Sequence, residues 1–265
     1  MKLEKTTIDL WKIKFNESLP GLLEAIQEQK SDAFLIGASL FDIYVTEKWI
    51  ADFSRVTTDA DFTIEYFGDP QEYISICDKL LSLGYRKDDN HPYRYHPKLK
   101  RGTYAYVDLL TFTTDPVLEK TAKTVMAVGE GFNFEGMDFA KKSPLHFDGN
   151  VYLPNPLALI YLKMKSYYHN PERKKDFADL LEVILRVSVE DKIFKELKII
   201  AEATDIVNVR SDFLKMCNYI ENDKGRPWDL DDVEGEMNSR GLLREFEFSE
   251  IPQTVEFFRS KVFKN

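Results

Sequence analysis

Residues 103–112, Thr-Tyr-Ala-Tyr-Val-Asp-Leu-Leu-Thr-Phe, constrain this chain more than any other stretch. Aromatic and β-branched residues dominate the run, so it reads as a central strand of a sheet. Asp108 stands in its apolar middle. A carboxylate there is unfavourable unless it is paired or bound to a metal ion. The run therefore implies a sheet around it and a chemical partner for one side chain.

The sequence on either side of this strand supplies the rest of an α/β domain. Residues 17–30 read as an amphipathic helix, 33–36 as a short buried strand ending at Gly37, and 39–50 as a helix. Residues 60–66 alternate as a strand does, and 70–83 read as a helix with Gly84 as its stop signal. Two strand-like pieces follow near 124–128 and 145–153. The character then changes. From Pro154 to about Ile220 the pattern is helical, with a turn at His169-Asn170-Pro171. The tail from Glu221 is acidic and irregular until short helical pieces near the end, and residues 229–236 read as a solvated loop. Pro154-Asn155-Pro156 punctuates the change, so the division expected is a domain over 1–153 and a helical domain over 154–265. The fold class is α/β: a small mixed sheet flanked by helices, followed by a helical domain.

Composition narrows the functional classes. The 265 residues are enough for a substantial core. A net charge of −9 argues against general, sequence-blind nucleic-acid binding, though it leaves room for a local basic cleft. No apolar run has membrane-spanning length, and the N-terminus lacks the pattern of a signal peptide, so a cytoplasmic protein without membrane contact is expected. Cys77 and Cys217 are too few for a disulfide framework or a zinc site and read as buried thiols. The four histidines show no metal-ligand spacing.

Three pieces carry chemistry. In Thr57-Thr58-Asp59-Ala60-Asp61-Phe62-Thr63-Ile64, side chains alternate faces, so Asp59 and Asp61 point one way while Ala60, Phe62 and Ile64 point into a core. Two carboxylates side by side repel unless a cation lies between them. Magnesium takes oxygen ligands and leaves positions open for substrate phosphates. Asp108, on a neighbouring strand, would complete a three-carboxylate site. Gly37-Ala38-Ser39, between a strand and a helix, lets the backbone approach a ligand and places a hydroxyl and free N–H groups where a phosphate can bind. The plainer reading of Ser39 is a helix N-cap, and that of the aspartate pair is a solvated edge strand.

Taken in order, Gly37-Ala38-Ser39, Asp59-x-Asp61 and Asp108 resemble the pattern of the DNA polymerase β superfamily of nucleotidyltransferases, and Arg55-x-Thr57-x-Asp59-x-Asp61 is especially similar to it. The likeness covers roughly residues 33–112. It departs from the family in the twenty positions between Ser39 and Asp59, a longer gap than is typical. A second resemblance lies in the helical half. The segment containing Lys163-x-Lys165, then Arg173-Lys174-Lys175-Asp176-Phe177-Ala178-Asp179, is similar to one in the AbiEii family, nucleotidyltransferase-like toxins of type IV toxin–antitoxin systems. What the resemblance implies is a magnesium-dependent transfer of a nucleoside monophosphate from an NTP to an acceptor hydroxyl. Asp59, Asp61 and Asp108 would act at two magnesium ions, and Gly37 and Ser39 at the phosphates. An antitoxin protein is an implied partner.

Helix geometry bears on the second segment. Lys163 and Lys165 are two positions apart and diverge. The apolar stripe is expected to run Leu157, Ile160, Met164, Tyr168, with Lys163 beside it and Lys165 leaning toward solvent. Lys163, also the family-matched position, is the expected triphosphate ligand. Asp176 is functional by the resemblance, either orienting the lysine or meeting the acceptor. The plainer reading is a charged helix surface. Residues 86–101 hold six Arg or Lys, two His and two Tyr between two of the acidic strands. They can line an RNA acceptor site by charge and stacking, or form an ordinary exposed hairpin. The expected activity is therefore nucleotidyl transfer to RNA or to a small molecule, the alternative being a non-catalytic nucleotide-binding module.

Overall fold

In a computed structural model the described residues are 1–53, 57–126, 135–187, 191–203, 207–222 and 230–263. Arg55 and Val56 of the acidic motif, the end of the 124–128 stretch, and Asp229 lie outside them. The chain divides into two compact units: Met1–Glu47 with Val56–Pro154, and Lys48–Arg55 with Asn155–Asn265.

The first unit is α/β. Its elements are α1 (Lys5–Ser18), α2 (Leu22–Gln27), β1 (Ala33–Ile36), α3 (Ser39–Thr46), β2 (Asp59–Glu65), α4 (Gln71–Ser82), β3 (Arg86–Lys87), β4 (Arg94–His96), β5 (Tyr106–Phe112), α5 (Glu119–Met126), α6 (Met137–Lys142), β6 (Leu145–Asp148) and β7 (Val151–Leu153). The strands form one mixed sheet in the order β3-β4-β5-β2-β1-β7-β6. β2 and β5 run parallel at its centre, and β1 lies antiparallel to β2.

Strand alternation decides which residues face the core. Ala60, Phe62 and Ile64 are buried as the pattern requires. Phe62 meets Phe15 of α1 edge-on, with ring centroids 5.7 Å apart, and Phe15 stacks on Tyr104 at 5.2 Å. Asp59 and Asp61 therefore lie on the opposite face of β2. Helix α1 was not anticipated: the stretch read as one helix over 17–30 is broken at Leu19-Pro20-Gly21, where Gly21 takes a φ of +76°. The overlooked signal is the spacing of Thr7, Trp11 and Phe15, which are all buried on α1.

Two further expectations are corrected. The strand expected near 124–128 is helical as far as Met126, because Ala122 and Met126, one turn apart, are the buried residues of α5. Helix α3 ends at Thr46 rather than continuing to residue 50.

The second unit is helical: α7 (Pro156–His169), α8 (Lys174–Arg186), α9 (Asp191–Ala203), α10 (Val207–Asn222), α11 (Asp231–Ser239), α12 (Leu242–Glu245) and α13 (Ile251–Phe263). Residues 231–236, expected as loop, belong to α11. Segment 48–53 joins this unit, with Ile50 bridging to Val187 and the Ala51 N–H donating to the Arg186 carbonyl at 2.8 Å. Helix α7 starts where the Pro-Asn-Pro signal places it: Pro156 opens the first turn and the buried Asn155 side chain accepts from the Ala158 N–H at 3.0 Å. Asn155→Ala is expected to cost about 1 kcal/mol in urea-denaturation stability. Cys217 is buried and Cys77 half-buried, both on helices. No helix among the described residues is long and apolar enough to cross a membrane.

Candidate metal centre

Register brings the acids together. Asp61 of β2 is opposite Asp108 of β5, and Asp59 is opposite Tyr106. Directly opposed residues project to the same side of a sheet. One oxygen from each of Asp59, Asp61 and Asp108 can lie within 4.8 Å of the others. Asp108 is buried; Asp59 and Asp61 are half-buried. An all-carboxylate donor set of this kind fits a hard divalent cation such as magnesium, and offers no nitrogen or sulfur to select a softer metal.

The glycine turn packs directly on this cluster. Ile36, the last residue of β1, pairs with Asp61, and Gly37 follows with a φ of +80°. A Cβ at Gly37 would stand 1.9 Å from Asp61 Oδ2, closer than any real contact. Backbone conformation and space both require glycine here. Gly37→Ala is expected to displace the Asp61 carboxylate and weaken divalent-ion binding on the order of tenfold or more, with about 1–3 kcal/mol of backbone strain in the melt. A manganese titration beside a thermal melt reads both effects.

Ser39 is the first residue of α3 and not its cap, which is Ala38. Its side chain is buried, with Oγ 3.4 Å from the Ile36 carbonyl. Thr57, buried ahead of β2, donates its hydroxyl to Asp59 Oδ1 and so fixes one end of the cluster.

One partner escaped the sequence reading. Arg94 of β4 lies opposite Asp108 in register. Its Nε donates to Asp108 Oδ1 at 2.7 Å and its Nη2 to Oδ2 at 2.8 Å. The guanidinium also sits 3.9 Å from the centroid of the Tyr106 ring. Hydrogen bonding to Asp108 holds the Arg94 pKa above its already high value. Burial and the nearby Asp59 carboxylate raise the Tyr106 hydroxyl. The basic stretch 86–101 is thus partly sheet, with β3 paired to β4 and β4 to β5. Beyond Arg94 its tip is organised by Asp88, whose carboxylate meets His96 Nε2 at 3.0 Å and His91 Nδ1 at 3.2 Å. The contact with His96, then those with the following backbone, hold Asp88 well below the usual carboxylate range.

The remaining expected site residues belong to the second unit. Lys163 Nζ lies 2.8 Å from Asp176 Oδ1 and 2.7 Å from Asp179 Oδ2, all three side chains being nearly sealed from water. Ser166 Oγ donates to Asp176 at 2.7 Å, and Arg173 also pairs with it. Arg240, just past the end of α11, reaches Asp179 at 2.7 Å. Burial opposes charge on both sides, yet the carboxylates of Asp179 and Asp176 hold the Lys163 pKa up, and Lys163 with Arg173 holds Asp176 well below the carboxylate range. Two details differ from expectation. Tyr168 is 56% exposed, and Tyr167 takes the buried place in the stripe, stacked on Phe177 at 4.8 Å. Lys165 is not turned to open solvent but pairs with Asp212 at 2.7 Å.

The chain matches no protein-family model, no curated protein and no solved structure.

Proposed function

We propose that the first unit is a nucleotidyltransferase domain of the polymerase β type, moving a nucleoside monophosphate from an NTP to an acceptor hydroxyl. The observation that carries this reading is the convergence of Asp59, Asp61 and Asp108 on one sheet face, with the Gly37 turn packed against Asp61. Bound magnesium would draw charge from the phosphates and favour departure of pyrophosphate. Asp59 and Asp61 would hold the ion, with Thr57 setting the orientation of Asp59. The glycine at position 37 lets the turn pack directly on Asp61, so its backbone lies beside the carboxylates that would hold the ion. In this reading Asp108, shared with Arg94, takes the proton of the acceptor hydroxyl as its oxygen bonds to the α-phosphorus and the bond to the leaving pyrophosphate breaks. The AbiEii-like segment around Lys163 and Asp176 extends the proposal to a nucleotidyltransferase of that type.

RNA is the acceptor class that the basic hairpin favours. Arg86 and Lys87 are exposed on β3, which pairs with β4, and β4 borders the strand that carries Asp108. The test is pyrophosphate release with each of the four NTPs, magnesium and total RNA, on the native protein and on Asp59→Ala/Asp61→Ala. Release that needs RNA and both aspartates is expected. Release only with small hydroxylated acceptors would move the reading to a small-molecule adenylyltransferase. Nucleotide binding with no release under any of these conditions would leave a binding module.

A further inference from the structure

The cluster already contains one positive charge, and it belongs to the protein. Arg94 engages both oxygens of Asp108 through a two-pronged contact, is steadied over Tyr106, and remains 21% exposed. It is therefore firmly held but has open volume beside it. A guanidinium fork matches a carboxylate in a way that a lysine ammonium does not. A divalent ion bound by all three carboxylates must share Asp108 with Arg94, whose two hydrogen bonds draw on the same oxygens, and it is repelled by the guanidinium over a few ångströms.

We infer that Arg94 is the resident cation of the carboxylate cluster, balancing the charge of Asp108 and opposing the binding of a divalent ion beside it. This rests on the metal-centre reading above. It explains how three acids can be held together on one sheet face in the ion-free protein: Asp108, the most buried of them, is neutralised. It also assigns Arg94 a role opposite in sign to that of a structural staple. If the residue merely fastened β4 to β5, its loss would loosen Asp108 and weaken ion binding. If it competes with the ion, its loss tightens binding.

The experiment is a manganese titration, read from the spin-resonance signal of the free ion, on the native protein, Arg94→Gln, Arg94→Lys and Asp59→Asn/Asp61→Asn. Arg94→Gln is expected to bind manganese on the order of tenfold more tightly than the native protein, and Arg94→Lys to fall between them, since it keeps the charge but loses the fork. Unchanged or weaker binding in Arg94→Gln, with native binding that depends on Asp59 and Asp61, overturns the inference and leaves the metal centre standing. Native binding no tighter than that of the double asparagine variant removes the metal centre, and the inference with it. Should Arg94→Gln fail to fold, the native protein decides. The Arg94 Nε–H resonance in a 15N-labelled sample is expected to move as magnesium is added, with the midpoint of ion binding. A resonance that stays in place through saturation overturns the inference.

Discussion

Asp59→Asn/Asp61→Asn is expected to lower pyrophosphate release by at least about a thousandfold, because several kcal/mol of transition-state stabilisation by the ions would be lost. The same variant is expected to melt at the native temperature or slightly above it. Arg94 balances Asp108, but the carboxylates of Asp59 and Asp61 remain within 4.8 Å of each other and repel, and two neutral amides of the same shape relieve that repulsion. Activity assays and ion-free melts on one preparation separate the two effects. A lower melting temperature accompanying the lost activity would mean that the aspartates serve the fold, and the catalytic reading would fail.

The second large effect lies in the helical unit. Lys163→Met leaves Asp176 and Asp179 buried without the cation they share, and is expected to destabilise that unit by about 3–5 kcal/mol. Arg173, Ser166 and Arg240 still reach these carboxylates and limit the loss. Adding Asp176→Asn and Asp179→Asn to Lys163→Met is expected to restore much of it, since breaking a buried pair is worse than removing it whole. The depressed Asp176 carboxylate gives stability that is complete above the ordinary carboxylate range and drains away as the pH falls from that range toward the depressed folded-state value. The raised Lys163 contribution is complete below the ordinary lysine range and declines only as the pH rises beyond it. Denaturation midpoints at a series of pH values should therefore fall on the acid side first in the native protein, with the acid slope flattened in the triple variant. A Lys163→Met protein with native stability and a raised KM for NTP would instead make this lysine a direct phosphate ligand.

Local pattern carried the centre of the first unit. β1, β2 and β5 each announce themselves by an apolar run or strict alternation, and the facing of Asp59 and Asp61 follows from a period of two. Asp108 was conspicuous because it interrupts an apolar strand. Arg94 was invisible by the same reasoning. Its meaning depends on β4 pairing with β5 in one register, a long-range choice that no local spacing encodes, and its neighbours made the whole stretch look like an exposed basic loop. The signal available in the sequence was the aromatic Tyr95 between polar Arg94 and His96, which the strand buries while leaving both neighbours half-buried. Around Lys163 the contact with Asp176 was one of two readings, but the sharing of the lysine with Asp179 and the reach of Arg240 to Asp179 were not read. A lysine flanking an apolar stripe can point outward or fold into a pair of acids on the next helix, and only packing decides. Residues 124–126 failed differently: Thr-Val-Met has strand propensity, but the helix is set by burial of Ala122 and Met126.

The small segment 48–55 has a consequence for anyone who wishes to separate the two halves. Because its described part, 48–53, belongs to the helical unit, the backbone passes from the first unit to the second after Glu47, is back in the first by Thr57, and passes over again after Pro154. A single cut after Pro154 yields a front fragment whose Ile50 and Ala51 have lost Val187 and Arg186, and a back fragment missing an edge that was synthesised before most of the sheet. During synthesis the ribosome must therefore release residue 187 before that early segment finds its place, so the helical half closes its structure on a piece of chain more than a hundred residues older than its partner. Dissection needs a short bridge across 48–55 in the front piece, and a circularly rearranged back piece that carries the segment with it.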